Sequence, residues 1–394
     1  MVNDDFAIGF TVFFLSFIEC LIYSYVCKII FQKFNSLKLY ITFVLFYALV
    51  PIFGEYAQAV LKDGPYAAIM SLYVIVYLRF FEKSVHKTGN LIISDMIKLI
   101  GTGVFVTFMR NEGVYIVLVS LGVLFIVADY KKKIAVLTVI AIFSLNICAW
   151  NSVTKEKMKI ATPFTKEMLS IPLQQSARYV RDYTDDISES EVNALSSFLD
   201  YRNLAKLYDP QISDAVKGYN VPIDKDTFIA YLGAWKSMFL KHPDAYFQAT
   251  LNNTFGYYYP FCQMSHRSNV FYIGHDAMPD FKNDYMFSYY IHRVMLDWSR
   301  LWSNIPVLSQ ATNSGIYSWF LLFFIGYMAK FKRNKLLLAL NIPVLLFCVC
   351  LASPVNGDIR YALSLVSTFP IYFCWVLKNN SKCHANTVIK EVAT

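Results

Sequence analysis

Asp63, Arg110 and Arg360 are the residues whose types and settings suit chemistry. Each stands at the edge of an apolar run where basic residues are otherwise scarce: Leu61-Lys62-Asp63-Gly64-Pro65, Phe108-Met109-Arg110-Asn111-Glu112-Gly113, and Ser353-Pro354-Val355-Asn356-Gly357-Asp358-Ile359-Arg360-Tyr361. A guanidinium beside a lipid leaflet suits a lipid phosphate, because its planar fork binds two oxygens at once. The same two arginines also fit pairing with Glu112 and Asp358, or snorkelling to water. Asp63 has two readings as well. It can orient an acceptor hydroxyl, take its proton or hold a divalent cation, or it can cap a helix ahead of Gly64-Pro65. If the three form one site for a sugar phosphate, Asp63 should lie about 6–12 Å from the guanidiniums, judged from hydrogen-bond reach at each end.

Other chemistry is thinly represented. His242, His266, His275 and His292 are too far apart in sequence to imply one metal site, and no CxxC or zinc-type Cys/His spacing occurs. Of the eight cysteines only Cys262 falls in the polar middle of the chain, so no disulfide framework is expected there. Tyr257-Tyr258-Tyr259-Pro260 fits either stacking on a sugar or, better, an aromatic cluster at a membrane interface. No GxSxG, Walker, HExxH or GxGxxG pattern has supporting context.

The elements that must position these residues are membrane helices. The chain of 394 residues is 56% hydrophobic and only 16% charged, against roughly 25% charged in soluble domains. Apolar runs occur at about 6–27, 39–54, 64–81, 91–109, 113–129, 134–150, 311–329, 336–352 and 359–377. Within the run at 91–109, Asp95 and Lys98 are three apart on one face, placed to pair or to sit at the interface. Sixteen Lys/Arg fall in one alternate set of short loops and only Lys62, Arg110 and Arg360 in the other. That bias predicts a multi-pass protein of the cell membrane with the N-terminus outside and the C-terminus cytoplasmic.

The net charge of +8 is confined to those loops, since residues 151–305 hold 16 basic and 17 acidic residues. Nucleic acid is therefore excluded as a partner. The acidic start Met1–Asp5 argues against a cleavable signal. The expected organisation is a six-span region over 1–150, a mainly helical extracytoplasmic domain over 151–307, three spans over 308–380 and a cytoplasmic tail over 381–394. Ser188 and Glu191 have capping-box spacing, Phe228–Phe239 is amphipathic, and Pro243 opens a further helix.

Three segments resemble an uncharacterised family of Gram-positive bacterial multi-pass membrane proteins that is similar to GT-C-fold glycosyltransferases. They are Ile171-Pro172-Leu173-Gln174-Gln175-Ser176-Ala177-Arg178-Tyr179, then His242-Pro243 through Gly256-Tyr257 with Tyr259-Pro260, then Ser353-Pro354-Val355-Asn356 with Arg360-Tyr361. Lys62-Asp63 and Arg110-Asn111 extend the match. The resemblance implies an all-α integral membrane fold and transfer of a sugar from a polyprenyl-phosphate donor to a cell-envelope acceptor. Relative to that pattern the first span and first outer loop, which carries an acid in GT-C enzymes, are missing, which fits a truncated or inactive relative as well as an active transferase. Asp63 then corresponds to the second acidic position, with Arg110 and Arg360 as lipid-phosphate ligands. The alternative is a non-enzymatic scaffold or accessory protein of cell-envelope polysaccharide assembly. A transporter is disfavoured, because no repeated pair of Gly/Pro-broken spans carries polar residues at mid-membrane.

Overall fold

The computed structural model describes residues 4–59, 61–85, 91–150, 152, 165–218, 224–261, 289–331 and 334–392. His266, His275 and Cys262 lie outside them, as does the side chain of His292. All regular structure among the described residues is helical, beside two isolated bridging pairs.

The first helices are α1 (Asp4–Phe34), α2 (Leu37–Leu49), α3 (Pro51–Ala57), α4 (Asp63–Val85), α5 (Ile93–Met109), α6 (Glu112–Val127) and α7 (Lys133–Ala149). A polar middle follows with α8 (Ser170–Asp182), α9 (Glu189–Phe198), α10 (Tyr201–Leu207), α11 (Lys225–Lys241), α12 (Pro243–Thr254) and α13 (Tyr289–Asn304). The chain closes with α14 (Ser314–Lys330), α15 (Asn341–Leu351) and α16 (Ile359–Val392).

Local chemistry explains the breaks. Ser36 caps α2 by accepting from the Leu39 N–H. Val50 stays extended (ψ 116°) before Pro51, whose ring disfavours a helical predecessor, and α2 and α3 meet at a 51° bend. The Ser188–Glu191 capping box forms as expected, and Pro243 occupies the first turn of α12.

The core of the bundle is α4. Its Tyr73 hydroxyl meets Ser120 of α6 at 2.5 Å, and its Ser71 meets Ser367 of α16 at 3.1 Å. The Tyr47 hydroxyl of α2 donates to the Ser367 carbonyl. Such bonds between helices matter because the apolar surroundings offer no substitute partner. Contacts at the ends fix direction. Asp63, Arg110 and Arg360 share one end, whereas Lys33, Glu82, Lys83, Asp95, Lys132 and Lys378 share the other. Asp95 pairs with Lys83 at 2.7 Å, while Lys98 is exposed. Of the two readings for this pair, Asp95 closes a clasp between α4 and α5, and Lys98 keeps an exposed position.

Four described helices are long and apolar enough to cross a membrane: Gly9–Phe34, Asp63–Val85, Tyr130–Ala149 and Ile359–Lys378. The bent α2–α3 pair makes a fifth if counted as one span. The other apolar runs form helices of 16 or 17 residues, α5, α6 and α14, or the segmented Lys335–Leu351. At 1.5 Å per residue, 17 residues reach about 25 Å, short of a ~30 Å hydrocarbon slab.

Helices α8 to α12 have their own core, in which Leu173, Tyr179, Leu195, Phe198, Tyr231 and Tyr246 are buried together. This unit docks on the turn between α15 and α16. Gln211 O accepts from Asn356 N–H at 2.9 Å, and Ser213 N–H donates to Pro354 O at 2.8 Å. Asn356 Oδ1 accepts from Gly256 N–H, and the Tyr257 hydroxyl reaches Ser353 Oγ at 2.7 Å and Val355 O at 2.8 Å. Tyr257 is therefore buried as a docking strut, while Tyr259 stays exposed. Gly357 takes φ 59°, which a glycine adopts without steric cost, and lets the turn pass against Gly256. Helix α13 belongs to the bundle instead. Its Trp302 packs in the bundle core, and its Ser299 hydroxyl donates to Glu55 of α3.

Candidate functional site

Asp63, in the first turn of α4, is 1% exposed. Arg110 caps α5 in an extended conformation (φ −146°, ψ 141°), which turns its side chain back toward the start of the antiparallel α4. Arg360 lies one residue into α16, where Asp358 Oδ1 accepts from its backbone N–H. The three meet. Arg110 Nη1 donates to Asp63 Oδ1 at 2.7 Å and Arg360 Nε to Asp63 Oδ2 at 2.8 Å.

Convergence from three distant loops agrees with a shared site, but the separation does not. A gap of 6–12 Å is replaced by direct contact. In surroundings this apolar a lone carboxylate is costly, and two guanidiniums offset that cost only at hydrogen-bond distance. Arg110 also pairs with Glu112 across 2.5 Å and lies over the rings of Tyr66 and Tyr361, 5.5 and 5.6 Å from their centroids. Arg110 is nearly enclosed, at 12% side-chain exposure, whereas Arg360 is open at 38%. Of the two guanidiniums, Arg360 is the one an incoming molecule would meet first.

Sequence reading misses Glu19. This acid of α1 is 3% exposed and rests against Gly64, where an added Cβ would lie 2.7 Å from Glu19 Oε1. The signal was available, because Glu19 is the only Asp, Glu, Lys or Arg in the apolar run 6–27 and an isolated intramembrane acid is a functional candidate by default.

Glu19 Oε1 and the Tyr66 hydroxyl are buried with no hydrogen-bond partner, and Arg110 Nε and Glu112 Oε1 have only each other. The last two face each other as an ion pair but out of line for a hydrogen bond. Buried polar groups are normally satisfied, so a concentration of unsatisfied ones marks strain or a place where a ligand supplies the partner. A divalent cation does not fit here. Both Asp63 oxygens are taken by guanidiniums that would repel it, and no group of three or more His, Cys, Asp or Glu placed to hold a metal occurs among the described residues.

The outlying histidine is also explained. His242 stacks on Tyr183 at 3.8 Å and meets Asp186 at 2.7 Å, inside the α8–α12 unit and away from Asp63.

Over residues 4–390 the sequence matches a family described as a family of unknown function, DUF6020. The chain belongs to that family. The match runs through every helix of the bundle and of the docked unit, so the Asp63 cluster and the Ser353–Asp358 turn both lie within DUF6020. No curated protein and no solved structure matches the chain.

Proposed function

We propose that the chain is a GT-C-like integral membrane glycosyltransferase, or a relative of one, moving a sugar from a polyprenyl-phosphate donor to a cell-envelope acceptor on the outer face. The observation that carries this reading is the under-satisfied cluster around Asp63, in which two guanidiniums meet one acid beneath a docked helical unit. A donor phosphate would take the fork of Arg360 and compete with Glu112 for the Nε–H of Arg110, loosening both from Asp63. The acceptor hydroxyl then attacks the anomeric carbon, and the bond from that carbon to the phosphate oxygen breaks. The lipid phosphate leaves with the electron pair, held by the arginines, and the hydroxyl proton passes to the released Asp63 carboxylate.

The nine helical passes are read as nine spans, with the N-terminus and the docked unit outside and the C-terminus in the cytoplasm. The gathering of basic residues at the end away from Asp63 supports this orientation. Reporter fusions after Lys133 and Lys335 should then read cytoplasmic, and one near Tyr219 external. A cytoplasmic signal at Tyr219 reverses the arrangement.

A scaffold for polysaccharide assembly is the second reading, favoured by the saturation of Asp63, whose two oxygens are each already taken. Binding of polyprenyl phosphate to the purified full chain separates the two. Arg360→Lys should weaken it by about tenfold, because a point charge does not replace a planar fork. If the wild-type chain retains polyprenyl phosphate no better than phosphatidylcholine, the transferase reading falls and the scaffold stands.

A further inference from the structure

At the opposite end of the bundle, three helices that run in the same direction carry the same spacing. Val26, Ile29, Ile30 and Lys33 of α1, Ile75, Leu78, Arg79 and Glu82 of α4, and Ile371, Cys374, Trp375 and Lys378 of α16 all line one cavity of about 310 Å³. Each set has the i, i+3, i+4, i+7 spacing of a single helix face. Each also ends on a charge at its last position. The parallel packing brings those charges to one rim over a floor that is otherwise mainly apolar.

The rim holds more positive than negative charge. Glu82 accepts from Trp375 Nε1 at 2.9 Å and is approached by Lys33 Nζ and Lys378 Nζ, each only at 3.5 Å. Arg79 adds a third cation, is exposed, and makes no ion pair among the described residues. Three bases therefore surround one acid. The volume lies within the range of small-ligand sites.

We infer that this cavity binds a phosphate-bearing amphiphile, the phosphate at Lys33, Arg79 and Lys378 and the first methylenes of its chain on the apolar floor. An apolar floor under a cationic rim at one end of a helical bundle is complementary to an anionic lipid headgroup with the start of its tail. Glu82 acts as a placeholder, holding the two lysines in position until a phosphate joins them. This site is separate from the Asp63 cluster, about 28 Å away along α4 at 1.5 Å per residue, and does not depend on the transferase reading.

The test uses the full chain in detergent with tail-brominated phosphatidylglycerol, brominated phosphatidylcholine and soluble glycerol phosphate. Bromine quenching assigned to Trp375 is the part lost in Trp375→Phe. That part should be stronger for the anionic lipid than for phosphatidylcholine. Arg79→Ala should shift its midpoint upward by about fivefold, the weight of one cation near an anionic headgroup, and Arg79→Lys should restore most of it. Because Arg79 is exposed, neither change threatens folding. Glu82→Gln should tighten binding, which a purely structural ion pair would not do. If glycerol phosphate displaces the brominated lipid, the phosphate is the recognised group. If it does not, the apolar floor is required and the lipid is the source. Equal quenching by both lipids, or an unchanged midpoint in Arg79→Ala, would overturn the proposal.

Discussion

At the start of α4 a carboxylate with 1% exposure is met at 2.7 and 2.8 Å by two guanidiniums, while near the end of the same helix Glu82, at 23% side-chain exposure, is approached by two lysines at 3.5 Å. Asp63 is held by planar forks at contact distance, and Glu82 by point charges at arm's length. The difference follows from access to water. Where water cannot help, only short, directional partners offset the cost of burying the acid. Where it can, looser pairs suffice and contribute little to stability. The first end is consequently a cluster in which two carboxylates, Asp63 and Glu112, balance two guanidiniums. The second is an open cavity with bases in excess. The two ends of one helix therefore differ in charge balance as well as in access to water.

The largest effect should come from removing the buried acid. Asp63→Asn leaves two guanidiniums facing a neutral amide and is expected to cost about 3–5 kcal/mol, read as a lowered unfolding midpoint of the full chain in detergent. A loss as small as that from Glu82→Gln would erase the contrast between the ends.

Gly64→Ala sharpens the same contrast. Its Cβ would come 2.7 Å from Glu19 Oε1 and 3.1 Å from the Tyr56 carbonyl, so the buried Glu19 carboxyl must move aside. The expected cost is about 1–3 kcal/mol. A Glu19→Ala, Gly64→Ala double variant should recover part of it, and failure to do so would mean that Glu19 is not what packs there.

The docked unit supplies its own acid sensitivity, which must be known before pH is used on either end. Burial of Glu191 raises its pKa, but hydrogen bonds from Lys241 and the Ser188 N–H outweigh that and hold it at about 2, against 4.5 ordinarily. A depressed acid stabilises the fold above its ordinary value and loses that contribution as pH falls toward its folded value. The window is thus about pH 4.5 down to 2. Glu191→Gln should cost about 1–2 kcal/mol near neutrality and only a small part of that by pH 2. A cost that persists undiminished at pH 2 would point to packing instead.

The smallest effect is expected at the open end. Glu82→Gln should change stability by no more than about 1 kcal/mol, measured by the same melt. A drop comparable to Asp63→Asn would show that the lysine cluster is a structural clasp.

Much of this was legible from local pattern. The Ser188 capping box, the opening of α12 at Pro243 and the amphipathic run inside α11 are short-range signals, and each becomes the element it predicts. Asp63, Arg110 and Arg360 stood out as charges where the loops should have had few, and they do converge. Their contact distance was not legible, since it depends on how α4, α5 and α16 pack. Glu19 was overlooked because hydropathy averages one acid into an apolar run. The rim of the second cavity shows the limit from another side. Each stripe is visible in its own helix, but Lys33 and Lys378 become neighbours of Glu82 only through parallel packing across most of the chain.

The clasp on Asp63 also sets an order of events during synthesis. Arg360 follows Asp63 by 297 residues, so at 5–20 residues per second the ribosome delivers the second guanidinium roughly 15–60 s after the acid. Through that interval Asp63 has at most Arg110 for company, and the turn that receives the docked unit does not yet exist. A nascent chain stalled before its last helix therefore carries an incompletely neutralised carboxylate and an undocked, partly apolar unit. Both are marks by which membrane proteases and chaperones could tell an unfinished chain from a finished one. Completion of the fold is announced by the arrival of a single arginine.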